Sequence, residues 1–196
     1  MAVKTRSRTA PEIYQLKVTL KEAKPPIWRR FQMAAEATLA DLHPILQRVM
    51  GWESYHLHQF RVGRELFGVP DPHDPFGGDV TDERKVPLRE VLPGAKAKLR
   101  YEYDFGDGWD HEVVLEKILP PDPAAELPRC LAGKRACPPE DCGGVWGYAE
   151  LLDAVSDPNH PEHEEMLEWL GEGFDPEEFD PEAVNAALRT PVRGRR

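Results

Sequence analysis

Along residues 13–20, IYQLKVTL, the apolar side chains Tyr14, Leu16, Val18 and Leu20 recur at every second position, the period of a half-buried strand. The turn EAKPP follows, and residues 27–33, IWRRFQM, read as a second strand, the antiparallel mate of the first. From Leu39 the period changes. Leu39, Leu42, Leu46, Val49 and Met50 share one face of a helix, Thr38 and Asp41 have capping-box spacing, and Gly51 is a terminator. Pro44 would lose a hydrogen bond and clash with the preceding turn inside a helix, so the regular helix is expected to start near Asp41.

Residues 56–62, HLHQFRV, read as a third strand and ELFGVP as a short fourth, while the composition of residues 70–87 predicts a loop. A helical turn at LREVL precedes strands over 98–105 and 111–119. The order predicts an α+β fold, a mixed sheet with one packed helix and a β-grasp-like core, followed by a C-terminal helical segment. The expected divisions are an α+β core over 12–119, a Cys/Gly-rich loop and acidic helical segment over 120–188 packed on it, and basic flexible tails at 1–11 and 189–196. Helices are expected near 147–156, 161–171 and 181–188.

Charge sharpens this picture. The net charge is −10, yet Lys4, Arg6, Arg8, Arg189, Arg193, Arg195 and Arg196 all sit in the tails. Between Arg135 and Arg189 there is no Lys or Arg. So acidic a body repels a phosphate backbone, which leaves only the basic tails for nucleic acid. No run approaches the roughly 18 apolar residues of a membrane span, and the N-terminus carries no apolar stretch that could serve as a signal peptide. The 3 cysteines, an odd number, fit a reducing cytoplasm. The expected location is cytoplasmic, with no membrane.

Candidate chemistry gathers around YEYDFGDGWDHEV, residues 101–113. A two-residue turn at Asp107-Gly108 would set Asp104 opposite His111. A three-residue loop, Gly106-Asp107-Gly108, would set Phe105 opposite Trp109 and Tyr103 opposite His111, and is preferred because it stacks the aromatic residues on one face. The other face would then oppose Asp104 to Asp110 and Glu102 to Glu112, like charges that need water, basic neighbours or a cation. In HLHQF, His56 and His58 alternate onto one face, and His111 would approach them. His56, His58 and His111 are therefore candidate ligands for a divalent metal such as zinc, weighed against the commoner structural histidine. Cys130, Cys137 and Cys142 are a second candidate set, although C-x6-C-x4-C lacks the tight pairs of structural zinc. Lys134 and Arg135 would favour thiolate character at Cys137. Asp104, Asp107, Trp109, Glu140 and Asp141 complete the pocket candidates. HPEHEE lacks the H-E-x-x-H order of a metalloprotease, and no P-loop, G-x-S-x-G or dinucleotide fingerprint is present.

The strings IWRRF, GWESYHLHQF, YDFGDGWDHEV, CLAGKRACPPEDCGGVWGY and FDPEEFD, in that order from about residue 12 to 188, resemble the plasmid pRiA4b open-reading-frame-three-like family. Pro44 departs from it, since members usually carry a helix-compatible residue there. The resemblance implies a small, mostly prokaryotic cytoplasmic protein, in some cases associated with mobile elements, and implies no established activity. Two functional readings stay open. The first is a non-enzymatic binding module whose acidic helical end meets another protein. The second is a metal-dependent hydrolase using His56, His58, His111 and the Asp104 and Asp107 carboxylates.

Overall fold

The structure, a computed structural model, describes residues 11–70, 80–171 and 173–190. Strands β1 (Ile13–Leu20) and β2 (Trp28–Ala34) form the expected hairpin. Helix α1 (Leu39–Met50) crosses to β3 (His58–Val62) and β4 (Glu65–Gly68). Then come β5 (Val80–Asp82), a short 3-10 turn over 83–85 and α2 (Leu88–Val91). Strands β6 (Lys98–Tyr103), β7 (Trp109–Leu119) and β8 (Arg129–Lys134) precede helices α3 (Gly144–Ser156), α4 (His163–Leu170) and α5 (Pro181–Arg189). The fold is α+β. Its mixed eight-stranded sheet has the order β5-β4-β3-β6-β7-β1-β2-β8. Among the described residues, only the β4–β5 pairing is parallel.

One face of the sheet is buried and the other wet, so residues alternate cleanly along β6 and β7. Leu99, Tyr101, Tyr103, Trp109, His111, Val113 and Leu115 all point inward and are almost wholly buried. Helix α1 lies against this face, and both His43 and Gln47 reach the Tyr101 hydroxyl, at 2.7 and 2.8 Å.

Several expectations change. The helix starts at Leu39, not Asp41, because Thr38 and Asp41 complete a reciprocal capping box that satisfies the first orphan N–H groups. Pro44 therefore lies inside α1, in its second turn, where the burial of Leu39, Leu42, Ile45 and Leu46 holds the helix despite one missing bond. Strand β5 falls within the loop expected over 70–87, of which residues 71–79 lie outside the described residues. Strand β8 falls in the Cys/Gly-rich segment expected to be a loop, and it extends the sheet by pairing with β2. Of the basic tails, Lys4, Arg6, Arg8, Arg193, Arg195 and Arg196 lie outside the described residues, while Arg189 ends α5.

The hairpin register also differs. Tyr103 faces Trp109, Tyr101 faces His111 and Leu99 faces Val113, so residues 104–108 make a five-residue connection. Loops of three and five residues share a parity, which is why the same aromatic face forms in both. The ladder stops early because the Asp104 N–H donates to the Leu57 carbonyl at 2.9 Å. Its own carbonyl accepts from Gly108 N–H at 2.7 Å. Phe105 is thereby turned out to solvent.

On the wet face Glu102 opposes Asp110 and Arg100 opposes Glu112. Basic neighbours resolve the repulsion. Lys21 and Arg100 pair with Asp110, Lys98 pairs with Glu112, and Gln59 donates to Glu102.

Candidate functional site

The string GWESYHL links α1 to β3 across the end of the aromatic face. It is pinned from the segment after β8. The Trp52 indole N–H donates to the Pro138 carbonyl at 2.9 Å, and Glu53 N–H donates to the Glu140 carboxylate at 2.7 Å. The Tyr103 hydroxyl donates to the other Glu140 oxygen while accepting from Tyr55 N–H at 3.0 Å. Glu140 is thus a clamp, and its position sets that of the next residue.

That residue is Asp141, whose Oδ1 lies 3.0 Å from His56 Nε2. Asp104 Oδ2 lies 3.7 Å from the same nitrogen. The three donor atoms fall within 4.8 Å of one another, and they are the one set of three or more candidate metal ligands among the described residues. His56 Nε2 is shut off from solvent, yet neither carboxylate is aligned to hydrogen-bond it. Asp104 (φ 56°) and Asp141 (φ 62°) both occupy the left-handed region, which aspartate enters more readily than most residues but still at some cost. An imidazole and two carboxylates suit a divalent cation such as zinc or manganese and leave further coordination positions open. Around the cluster, Tyr55, Leu57 and Phe105 project into solvent.

The three histidines expected to share a ligand set separate instead. Strand β3 begins at His58, so His56 precedes the regular alternation that would have put the two on one face. His58 stacks on His43, with ring centroids 3.6 Å apart, and bonds buried Glu83 at 2.9 Å. His111 is wholly buried between Tyr101 and the edge of Trp52. Trp109 is a core residue, fully buried. Asp107 joins no cation cluster. It accepts from Gly143 N–H at 3.1 Å and ties the hairpin tip to the start of α3.

The cysteines also lie apart. Cys130 pairs its backbone with the Asn185 side chain of α5, Cys137 touches Arg29 and Met50, and Cys142 lies near Gly144. All three are free thiols. Burial raises each pKa, that of Cys137 to about 11 and that of Cys142 to about 12. The cation beside Cys137 is Arg29, not Lys134 or Arg135, and burial outweighs it.

His43 and Glu83 escaped the sequence reading. The only signal was the i, i+4 spacing of His43 and Gln47 on α1, which brings both to Tyr101. His43 Nε2 also meets the Ser54 hydroxyl at 2.8 Å. With Gln47 donating to the Tyr101 oxygen, the phenol donates to Nδ1 and His43 is neutral. Burial, then the neighbouring His58, lowers its pKa to about 3; burial lowers that of His111 to about 4.

These shifts carry a pH dependence. Both folded-state values lie below the unfolded value near 6.5, so below that pH the unfolded chain takes protons that the folded chain refuses. The stabilisation is complete above about pH 6.5 and is lost as pH falls toward 4 for His111 and toward 3 for His43, by at most about 1.4 kcal/mol per pH unit for each histidine. Urea unfolding at about pH 7 and about pH 5 should differ by roughly 2 kcal/mol from His111 alone. Equal stabilities at the two pH values would contradict a neutral, buried His111.

Among the described residues no helix is long and apolar enough to cross a membrane. Residues 12–183 match the family described as Plasmid pRiA4b ORF-3-like protein. The chain is 40% identical over 174 residues to the uncharacterized protein y4hQ of Sinorhizobium fredii, covering 88% of this chain and 86% of that one. It is also similar to a crystal structure of a protein of unknown function, MM3350, from Methanosarcina mazei Go1. That likeness has a TM-score of 0.80 and 44% identity, and covers 89% of this chain and 98% of the other. On the match over nearly its whole length, the chain belongs to the plasmid pRiA4b ORF-3-like family.

Proposed function

We propose that the protein is a non-enzymatic binding module that receives a basic segment of a partner protein in the groove between α3 and α4. The observation that carries this reading is the lining of the groove. Asp141, Glu150 and Glu162 supply carboxylates, and Leu151, Met166 and half-exposed Trp169 supply an apolar surface. Its volume, about 250 Å3, suits an inserted side chain rather than a folded surface. A lysine or arginine would lay its aliphatic stem on Met166 and Trp169 and bring its charge to the acids. The absence of Lys and Arg from 136–188 leaves that charge unopposed within the segment. We take the core beneath to be β-grasp-like, with hairpin β1–β2, helix α1 and hairpin β6–β7 following in that order.

Titration with a synthetic Arg/Lys-rich peptide tests the reading. The full chain should bind it with an affinity that falls as salt rises, and the double variant Glu150→Gln/Glu162→Gln should weaken it about tenfold. Failure to prefer this peptide over an acidic one of equal length would remove the proposal.

The His56–Asp104–Asp141 cluster favours a second reading, a metal-dependent enzyme of the hydrolase type. Three protein ligands with open positions are the pattern of a catalytic rather than a structural zinc site. Metal analysis of protein purified without chelator separates the two. Under the second reading a stoichiometric divalent ion is lost in His56→Ala and Asp104→Asn, but kept in Cys130→Ser. Metal-free protein, or metal that survives His56→Ala, would eliminate this ligand set.

A further inference from the structure

Helix α3 borders a second hollow through a different set of its residues. This one lies against the β1–β2 turn and has a volume of about 460 Å3. Its walls are apolar: Pro25, Ile27, Val145, Trp146, Ala149 and Leu152. That size and lining are those of a small-molecule pocket.

Two buried polar residues, Arg135 and Tyr148, break the apolar lining. Arg135 is 7% exposed and Tyr148 3%. Arg135 Nε and the Tyr148 hydroxyl are buried, and neither has a hydrogen-bond partner among the described residues. Arg135 uses another nitrogen to pair with Glu177, so the guanidinium is anchored from outside while Nε remains free. Burial raises the Tyr148 pKa to about 12, and the charge of Arg135 and the close approach of its side chain act against that rise, so the two groups lie side by side. Glu22 and Lys24 also line the hollow and oppose each other in charge.

A buried donor without an acceptor is costly, and here two such donors share one hollow. An N–H and an O–H side by side call for an acceptor with two oxygens and a negative charge. The rest of the hollow calls for a hydrocarbon. Trp146, 77% exposed, offers an indole for a flat ring to stack on.

We propose that this hollow binds a small monocarboxylate with a flat apolar body, its carboxylate held by Arg135 and Tyr148 and its ring against Trp146. The site is independent of the α3–α4 groove and of the His56 cluster.

Calorimetric titration of the full chain with naphthylacetate, and with its neutral amide, tests the proposal. The acid should bind at one site per chain, and the amide at least about tenfold more weakly. Tyr148→Phe deletes one buried hydroxyl and keeps the ring, so the protein should still fold while affinity for the acid falls about tenfold. Arg135→Met should abolish the preference for acid over amide. If Arg135→Met fails to fold, Tyr148→Phe alone decides. No binding of naphthylacetate at millimolar concentration, equal binding of acid and amide, or unchanged affinity in Tyr148→Phe would each overturn the proposal.

Discussion

Gly144→Ala is expected to destabilise the protein by roughly 3 kcal/mol or more, while Gly108→Ala costs about 1 kcal/mol. Both glycines hold a positive φ, 70° and 69°, so each substitution carries the strain of a side chain in the left-handed region. They differ in what surrounds them. A Cβ on Gly108 would meet nothing within 4 Å, whereas one on Gly144 would lie 2.3 Å from the Asp107 carbonyl oxygen. That oxygen belongs to backbone, so α3 must lift off the hairpin tip. Lifting it also breaks the bond from Gly143 N–H to Asp107. Urea unfolding of both variants measures the contrast. Equal losses would mean that the hairpin and α3 are not in close contact.

Arg29→Ala should cost about 3–5 kcal/mol, an effect that nothing in an exposed arginine would produce. Arg29 is 4% exposed. Its Nε donates to the Val49 carbonyl at the end of α1, and one terminal nitrogen donates to the Trp28 and Lys134 carbonyls. The other reaches the Cys137 sulfur at 3.0 Å, and the guanidinium lies over the Phe179 ring. A cation suits the C-terminus of a helix, where free carbonyls gather negative charge. One side chain therefore joins β2, α1, β8 and the segment before α5. Alanine leaves those carbonyls without a donor and opens a cavity. Arg29→Lys should recover only part of the loss, because an ammonium cannot spread its donors as a planar fork does. A loss below about 1 kcal/mol in Arg29→Ala would show that these contacts are made as well by water.

The neighbouring Arg30 shows how little the residue type alone reveals. It points to the wet face and pairs with Glu116 at 2.6 Å, while Arg29 points inward with Phe31 and Met33. Alternation along IWRRF puts an arginine inside. It does not say that three carbonyls and a thiol wait there.

Local periodicity determined what it physically can. The alternation of β1, β2, β6 and β7, the apolar stripe of α1 and its capping box are each written within a dozen residues, because a strand or helix must bury one face and satisfy its own ends. The buried aromatic face of the hairpin was legible for the same reason, since parity survives a change of loop length from three to five residues. Strand β8 was not, because RCLAGK carries no clear alternation and becomes a strand only by pairing with β2. Pro44 sits inside α1 against its local preference because the burial of a whole helix outweighs one absent bond. The candidate site divides in the same way. His56 and Asp104, on expected strands, and Glu140 and Asp141, in the Cys/Gly-rich segment, stand out in the sequence as pocket candidates, but their grouping depends on contacts among three distant segments. Only tertiary structure decided that Tyr103 and Glu140 clamp those segments together, bringing Asp141 to His56 while sending His58 to His43 and His111 into the core. Hydrophobic period is a property of neighbours in sequence; a ligand set is a property of neighbours in space.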